Sequence, residues 1–431
     1  MRRRVAPGAA ATAAPDSLTL GYDVRMLKRI PVDDLRVGMH LHELGGAWLD
    51  HPFWRSSFKI EDIQTLQKIR ASGIREAWID ISKGLDVVGG VTEAEAVAAV
   101  ELDLQIGAAE SAPPPRSSTE EEVARAREVC LRAVAEVGGL FREARMGRAI
   151  EPETLLPVAT KIAASVERNP GVFSALLRLR QQDTYTYMHS VSVGALMVGL
   201  GRQLGLESHE LPELGLAGLL HDIGKVGVDL ELLNKKSRLT EQEFDRLREH
   251  AHYGHRLLAK GNASEIALSV ARHHHERTDG SGYPDRLAGD AISLHARMAA
   301  VCDVYDATTS DRPYKDAWQP AHALRKMAEW SRSQYDTRVF HAFVRTVGIY
   351  PIGTLVRLKS GYLGVVLDQN EQALLAPRVK VFYSIARAHR IPPQAVDLAR
   401  DGDEILSHED PDVWGITDLY ALWSGLNRPL F

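Results

Sequence analysis

Apolar residues recur at helical spacing almost without interruption from about Pro152 to Gly348, which predicts a helical domain over 152–348. Asp183 to Leu204 reads as one helix. Leu211 to Ile223 reads as another, with Leu214, Leu216, Leu219 and Leu220 on its buried face and His221-Asp222 at its end. Thr240 and Glu243 form a capping-box signature that opens a helix through His250. Ser264 to His275 and His295 to Thr309 give two more. The period changes at either side of this block. Lys28 to Val32, Met39 to His42 and Trp78 to Ile81 read as strands, with a helix over Glu61 to Ser72 and a stop at Gly73. This gives a small α+β domain over 23–90, preceded by a disordered tail over 1–22. Pro113-Pro114-Pro115 marks a linker, drawn over 91–118, and Val123, Ala126, Cys130, Val134 and Val137 mark an amphipathic connecting helix within 119–151. Such a helix suits pairing with a second copy or packing on the next domain. After Tyr350, Thr354 to Leu358 and Gly364 to Leu367 read as a hairpin and Lys380 to Tyr383 as a third strand, a β-rich appendage over 349–431. The fold class is mainly α.

Composition narrows this picture little. The 431 residues imply two or three domains, and 52 basic against 57 acidic residues argue against general nucleic-acid binding. Only Cys130 and Cys302 are present, so no disulfide framework is expected and a reducing compartment fits. The Ala-rich stretch after Met1-Arg2-Arg3-Arg4 lacks the apolar core of a signal peptide, and Val191 to Leu200 falls short of the roughly 20 residues that span a bilayer. A cytoplasmic protein without a membrane span is expected.

The chemistry lies in the helical block. His189, His221, Asp222, His250, His274, His275 and Asp303 are spread over five predicted helices. A lone helical histidine is usually a hydrogen-bonded or surface residue. Asp222, however, sits in a Leu-rich run and Asp303 in Ala299-Ala300-Val301-Cys302-Asp303-Val304, where a carboxylate is costly unless paired or coordinated. A histidine beside an aspartate can give one metal a nitrogen while the carboxylate bridges to a second. Such pairs polarise phosphoryl oxygens and generate hydroxide near neutral pH, which points to a metal-dependent phosphohydrolase. Lys225, one turn from Asp222, either assists at the phosphate or is a solvated helix-end lysine.

His221-Asp222-Ile223-Gly224-Lys225, His274-His275-Glu276, Asp279-Gly280-Ser281-Gly282-Tyr283-Pro284, Asp303-Val304-Tyr305-Asp306-Ala307 and Ser310-Asp311-Arg312-Pro313-Tyr314-Lys315 follow one another in order. Over about residues 180–345 the chain resembles the HD-GYP subgroup of the HD phosphohydrolases. Met26 to Gly84, with Val37-Gly38-Met39 and Pro52-Phe53-Trp54, resembles a small domain of unknown function often found ahead of it. The resemblance implies a helical HD-domain bundle that hydrolyses the messenger cyclic di-GMP to linear pGpG or GMP, with iron or manganese. It implies His189, His221 and Asp303 on one metal, His250, His274 and His275 on the other, and Asp222 bridging. It gives Asp222 and Lys225 catalytic roles. Gly282, Tyr283 and Pro284 shape the substrate pocket, with Tyr283 stacking on guanine, while Arg312 and Lys315 contact phosphate or base. Glu276 and Asp306 are expected to orient ligands, His273 to be structural, and His252 and His255 to lie at the surface. Two metals are expected, because the residue one turn before His189 is Tyr185, a poor ligand for a hard cation at neutral pH. Val228-Asp229 and Lys236-Ser237 depart from the family's usual Ile-Pro and Pro-Gly. A non-hydrolytic sensor and a hydrolase of another cyclic dinucleotide are the alternatives. A protein partner at the N-terminal domain and a homodimer are the expected associations.

Overall fold

The computed structural model describes residues 26–45, 57–72, 74–108, 117–177, 185–235, 237, 239–310, 317–331, 333–370 and 373–426. The expected tail over 1–22 and the Pro52-Phe53-Trp54 anchor lie outside them. The chain divides into two compact units, Met1–Ala96 and Val97–Phe431.

The first unit holds β1 (Leu27–Pro31), β2 (His40–Leu44), β3 (Phe58–Lys59), α1 (Ile63–Ala71), β4 (Glu76–Asp80) and β5 (Val91–Thr92). They form an antiparallel sheet in the order β3-β2-β4-β1-β5. Ile30, Leu41, Ile69 and Ile79 fill a separate small core. The longer strands and the helix fall where the hydrophobic pattern places them. β3 and β5 are two residues each, too short to leave a period in the sequence.

The linker expected over 91–118 is in large part regular structure. Val91–Thr92 pairs with β1, and Glu93–Ala108 is a helix, α2. Val100 and Leu104 of α2 enter the core of the second unit. The run is rich in alanine and valine and only weakly amphipathic, so it resembles a helix face less than a spacer. The triple proline lies outside the described residues.

The second unit continues with α3 (Thr119–Arg145), α4 (Leu156–Arg168), α5 (Pro170–Leu177), α6 (Tyr185–Gln203), α7 (Leu211–Leu220), α8 (Leu230–Leu233), α9 (Glu241–Lys260), α10 (Glu265–His273), α11 (Leu294–Thr308), α12 (Pro320–Ser331) and α13 (Thr337–Val347). No helix among the described residues is long and apolar enough to cross a membrane. Capping boxes start α3 (Ser118 with Glu121) and α9 (Thr240 with Glu243), each satisfying two orphan backbone donors. α6 and α7 cross glycine to glycine: a Cβ added at Gly218 would lie 2.5 Å from Gly194 Cα.

Glu122 of α3 is fully buried and ties this helix to α4. Its carboxylate accepts from Ser165 Oγ at 2.7 Å and from Arg168 Nε and Nη2 at 2.7 and 2.9 Å. Glu122→Ala removes every one of these acceptors and leaves a buried hydroxyl unpaired, so unfolding in urea should show a loss of about 2–3 kcal/mol. A loss below about 0.5 kcal/mol would mean that the pair only offsets its own desolvation.

β6 (Leu355–Leu358), β7 (Tyr362–Asp368), β8 (Arg378–Ser384), β9 (His389–Asp397), α14 (Leu398–Asp401), β10 (Ile405–His408) and α15 (Leu419–Ser424) complete the chain. The sheet, ordered β10-β6-β7-β8-β9, is less an appendage than a wall of the second unit. Leu355, Leu363, Val365 and Phe382 join the main helical core, while Val356, Leu358, Val366 and Val379 pack a small core beneath α14. Period-two alternation supplies both faces.

Candidate metal centre

α7 stops at Leu220, earlier than its apolar pattern suggests, and the chain tightens into a 3-10 turn over Ile223–Gly227. Gly224 is what permits the turn to seat. A Cβ there would lie 1.9 Å from His250 O and 2.5 Å from Gly254 N, so the backbone of the turn rests directly on α9. This seating brings His221 and Asp222 to His250. α10 ends at His273, which leaves His274 as its C-cap and His275 beyond it. α6 contributes His189 and α11 contributes Asp303.

Asp222 is the hub, at 1% exposure. Its Oδ1 lies 3.4 Å from His250 Nε2 and 3.7 Å from His274 Nε2. Its Oδ2 lies 3.3 Å from His221 Nε2 and 3.6 Å from His189 Nε2, and pairs with Lys225 Nζ. Each carboxylate oxygen therefore faces its own pair of imidazoles. Asp303 Oδ1 lies 3.0 Å from His189 Nε2, and its Oδ2 is 3.8 Å from His275 Nδ1. Donor atoms gather in two groups, each within 4.8 Å: Asp222, His250, His274 and His275 in one, His189, His221 and Asp303 in the other.

The outer ring nitrogens are held by acceptors. His221 Nδ1 donates to Gly218 O at 2.8 Å, His250 Nδ1 to Leu247 O at 2.6 Å and His274 Nδ1 to Val270 O at 2.9 Å. A carbonyl only accepts, so each Nδ1 carries a proton, and in the neutral ring Nε2 then turns its lone pair inward. His189 Nδ1 donates to Asp306 Oδ2 at 2.7 Å, which gives Asp306 an orienting position. Burial lowers the His250 pKa to about 3 and takes His275 well below its ordinary value, so both rings are neutral. Burial also opposes charge on Asp222 and Asp303. The Lys225 ammonium and His221 at Asp222, and His189 at Asp303, outweigh it and hold both carboxyls well below the usual range.

Among the described residues His221 Nε2 and Asp222 Oδ1 are buried with no hydrogen-bond partner, beside the neutral rings of His250 and His275 and two ionised carboxylates, while Asp303 and Asp306 raise the His189 pKa against its burial. Nitrogen and oxygen donors without thiolate suit a first-row divalent ion. The residues fit such a group.

The loop expected to shape a substrate pocket packs closely against its own chain. Gly282 allows close approach to its own chain: an added Cβ would meet Arg277 N and Glu276 Cα, each at 2.5 Å. Glu276 holds this loop instead of a ligand, its carboxylate accepting from Asp285 N at 2.7 Å and Leu287 N at 3.1 Å. Asp285 accepts from Arg272 at 2.7 and 3.0 Å and is 2.9 Å from His273 Nε2, which gives His273 a structural task. Tyr283 follows Gly282 and precedes Pro284, and its ring stacks on His275 with centroids 4.7 Å apart. His252 and His255 are half-buried rather than on the surface. Arg312 and Lys315 lie outside the described residues, and so does the side chain of Tyr185. Sequence reasoning missed Arg248, which lies over the Tyr283 ring; its only sequence signal is Phe244 one turn earlier.

Comparison with known proteins gives this geometry its family. A family described as "Domain of unknown function (DUF3391)" matches residues 27–155, and one described as "HD domain" matches 171–339. The chain is 50% identical over 407 residues to the Pseudomonas aeruginosa protein named Cyclic di-GMP phosphodiesterase PA4108, covering 94% of this chain and 97% of that one. It is 38% identical over 184 residues to the Xanthomonas campestris protein Cyclic di-GMP phosphodiesterase response regulator RpfG, covering 42% of this chain and 48% of that one. It is 35% identical over 167 residues to the Vibrio cholerae protein 3'3'-cGAMP-specific phosphodiesterase 3, covering 39% and 36%. A solved structure, Bd1817, a HDG"Y"P protein from Bdellovibrio bacteriovorus, is similar at a TM-score of 0.44 and 15% identity over 74% of this chain and 98% of that one. A DUF3391 match followed by an HD-domain match, along the length of a relative that shares half its residues, shows that the chain belongs to the HD-GYP family of metal-dependent phosphodiesterases.

Proposed function

We propose that the protein hydrolyses cyclic di-GMP to linear pGpG or GMP with two divalent cations, iron or manganese, in the cluster. The observation that carries this reading is Asp222, each of whose oxygens faces a separate pair of imidazoles. The name of the relative that is 50% identical favours this substrate. His189, His221 and Asp303 would hold one cation, and His250, His274 and His275 the other, with Asp222 between them. When bound, the cations supply positive charge for the non-bridging phosphate oxygens and activate the attacking water. The chain's own residues do the rest. Nδ1 hydrogen bonds fix His221, His250 and His274, so little reorganisation is needed as charge develops. Lys225, at 27% exposure, keeps its ammonium beside Asp222, where it donates to a phosphate oxygen or to the leaving ribose oxygen. Arg312 and Lys315 take phosphate or base, as the resemblance implies.

The test is turnover of cyclic di-GMP by anaerobically prepared protein loaded with iron or manganese, with chromatography resolving pGpG from GMP. Product with either metal is expected. Tight binding without turnover would establish the sensor instead, and faster turnover of 3'3'-cGAMP would move the substrate. Chelation should abolish turnover and lower the melting temperature, because it leaves buried ionised carboxylates without a cation. An unchanged melting temperature after complete metal removal would reject the cluster as the binding site.

A further inference from the structure

Arg248 stands on α9 two residues before His250, and aromatic rings hold its guanidinium. Its Cζ lies 4.2 Å from the centroid of Phe244, one turn earlier on the same helix, and 5.3 Å from that of Tyr283. Tyr283 is stacked on His275, at an interplanar angle of 28°. His275, Tyr283, Arg248 and Phe244 therefore form a chain of successive contacts that starts at the cluster. The ion pair of Arg248 with Asp245, 3.2 Å from Nη1, is to a carboxylate with 71% exposure, and such pairs contribute little. Arg248 Nε is buried without a hydrogen-bond partner among the described residues. The Arg248 side chain as a whole is 41% exposed, so the rest of its guanidinium is within reach of a ligand while the rings hold it in place.

We propose that Arg248 reads the base of the substrate, its guanidinium donating to guanine O6 and N7. This rests on the reading of the cluster as the site that holds a cyclic dinucleotide phosphate. With the rings near its Cζ and 41% of the side chain exposed, the guanidinium can offer its fork of N–H donors to a partner in its own plane. Guanine offers that fork two acceptors. Adenine offers one acceptor and an amino donor, which leaves half of the fork facing a hydrogen. A base paired in this way would lie near Tyr283, the ring that contacts His275. Arg248 is thus the specificity-determining residue between guanine and adenine dinucleotides.

The experiment uses full-length, metal-loaded protein and compares wild type, Arg248→Met and Arg248→Lys on cyclic di-GMP, 3'3'-cGAMP and cyclic di-AMP, by turnover and by equilibrium binding. Arg248→Met should raise KM for cyclic di-GMP roughly ten- to hundredfold, as expected for loss of a two-pronged guanine contact, with the change in KM rather than kcat. It should shift cyclic di-AMP by less than about threefold and retain the wild-type metal content. Arg248→Lys should lose the same selectivity, because an ammonium keeps the charge without the fork. Equal weakening of all three dinucleotides by methionine with full rescue by lysine would overturn the proposal in favour of a phosphate contact. An unchanged KM for cyclic di-GMP, or a fall in metal content, would overturn it in favour of packing. If wild type binds cyclic di-GMP selectively through Arg248 yet turns nothing over, the hydrolytic reading fails and the base reader stands. If wild type does not bind cyclic di-GMP, both fall.

Discussion

Asp222→Asn should cut kcat by on the order of a hundred- to a thousandfold and empty at least one cation position, while the helical circular-dichroism signal is retained. The two residues are nearly the same shape, so packing around position 222 need not change. The amide, however, offers one acceptor oxygen where the carboxylate offers two. Oδ1 faces His250 and His274, and Oδ2 faces His189 and His221, so an amide serves one pair and presents N–H donors to the other. The amide nitrogen is a donor with no available lone pair, so it brings no cation-binding capacity. Lys225 would also lose its carboxylate partner. Metal analysis beside steady-state kinetics decides the matter. A variant with full metal content and near-native kcat would remove Asp222 from its central place.

Gly224→Ala should be as damaging to the site without touching a ligand. The added Cβ would meet His250 O, His250 C and Gly254 N at 1.9, 2.8 and 2.5 Å, all backbone atoms that no rotamer change can move aside. The 3-10 turn must lift from α9, which separates Asp222 and Lys225 from His250. An expected loss of about 3 kcal/mol, at the upper end for overpacking, lowers the melting temperature by about 5 °C or more and weakens cation retention. Gly139→Ala is the matched control. It lies within α3 with nothing within 4 Å of its added Cβ, so it should be neutral or slightly stabilising. Equal behaviour of the two variants would show that the turn tolerates displacement.

Local chemistry made much of the helical unit legible. The capping box at Thr240 and Glu243 announced α9, and the Leu-rich run announced α7. The candidate ligands stood out because carboxylates in apolar runs are expensive, a rule that needs no coordinates. What escaped had its cause in distant packing. α2 lacks a clear polar face, and β3 and β5 exist only because neighbouring strands offer them partners. The stop of α7 at Leu220 depends on the fit of Gly224 against α9, a contact some 30 residues away in sequence. The C-terminal strands were readable as strands. Their membership in the main core was not, since alternation shows that a face is buried but not what covers it. Glu276 was expected to orient a ligand from its place after two histidines, and the backbone donors of a returning loop claimed it instead. Arg248 was missed because Phe244, one turn earlier, is a weak signal by itself, and Tyr283, its second ring, is distant in sequence.

The crossing of α6 and α7 at Gly194 and Gly218 has a bearing on which ions the centre can accept. His189 and His221 project from either side of this crossing, and their ring centroids stand 5.1 Å apart. At such a contact the separation of the two helices is the thickness of two main chains, the stiffest dimension a protein possesses. No side chain can be trimmed there to narrow the gap, and none can swap rotamers to widen it. The frame acts as a fixed gauge rather than an adjustable jaw. In the proposed cluster a cation of the wrong radius would therefore have to be accommodated by bending imidazoles away from their Nδ1 acceptors, and every hydrogen bond so distorted would count against that ion.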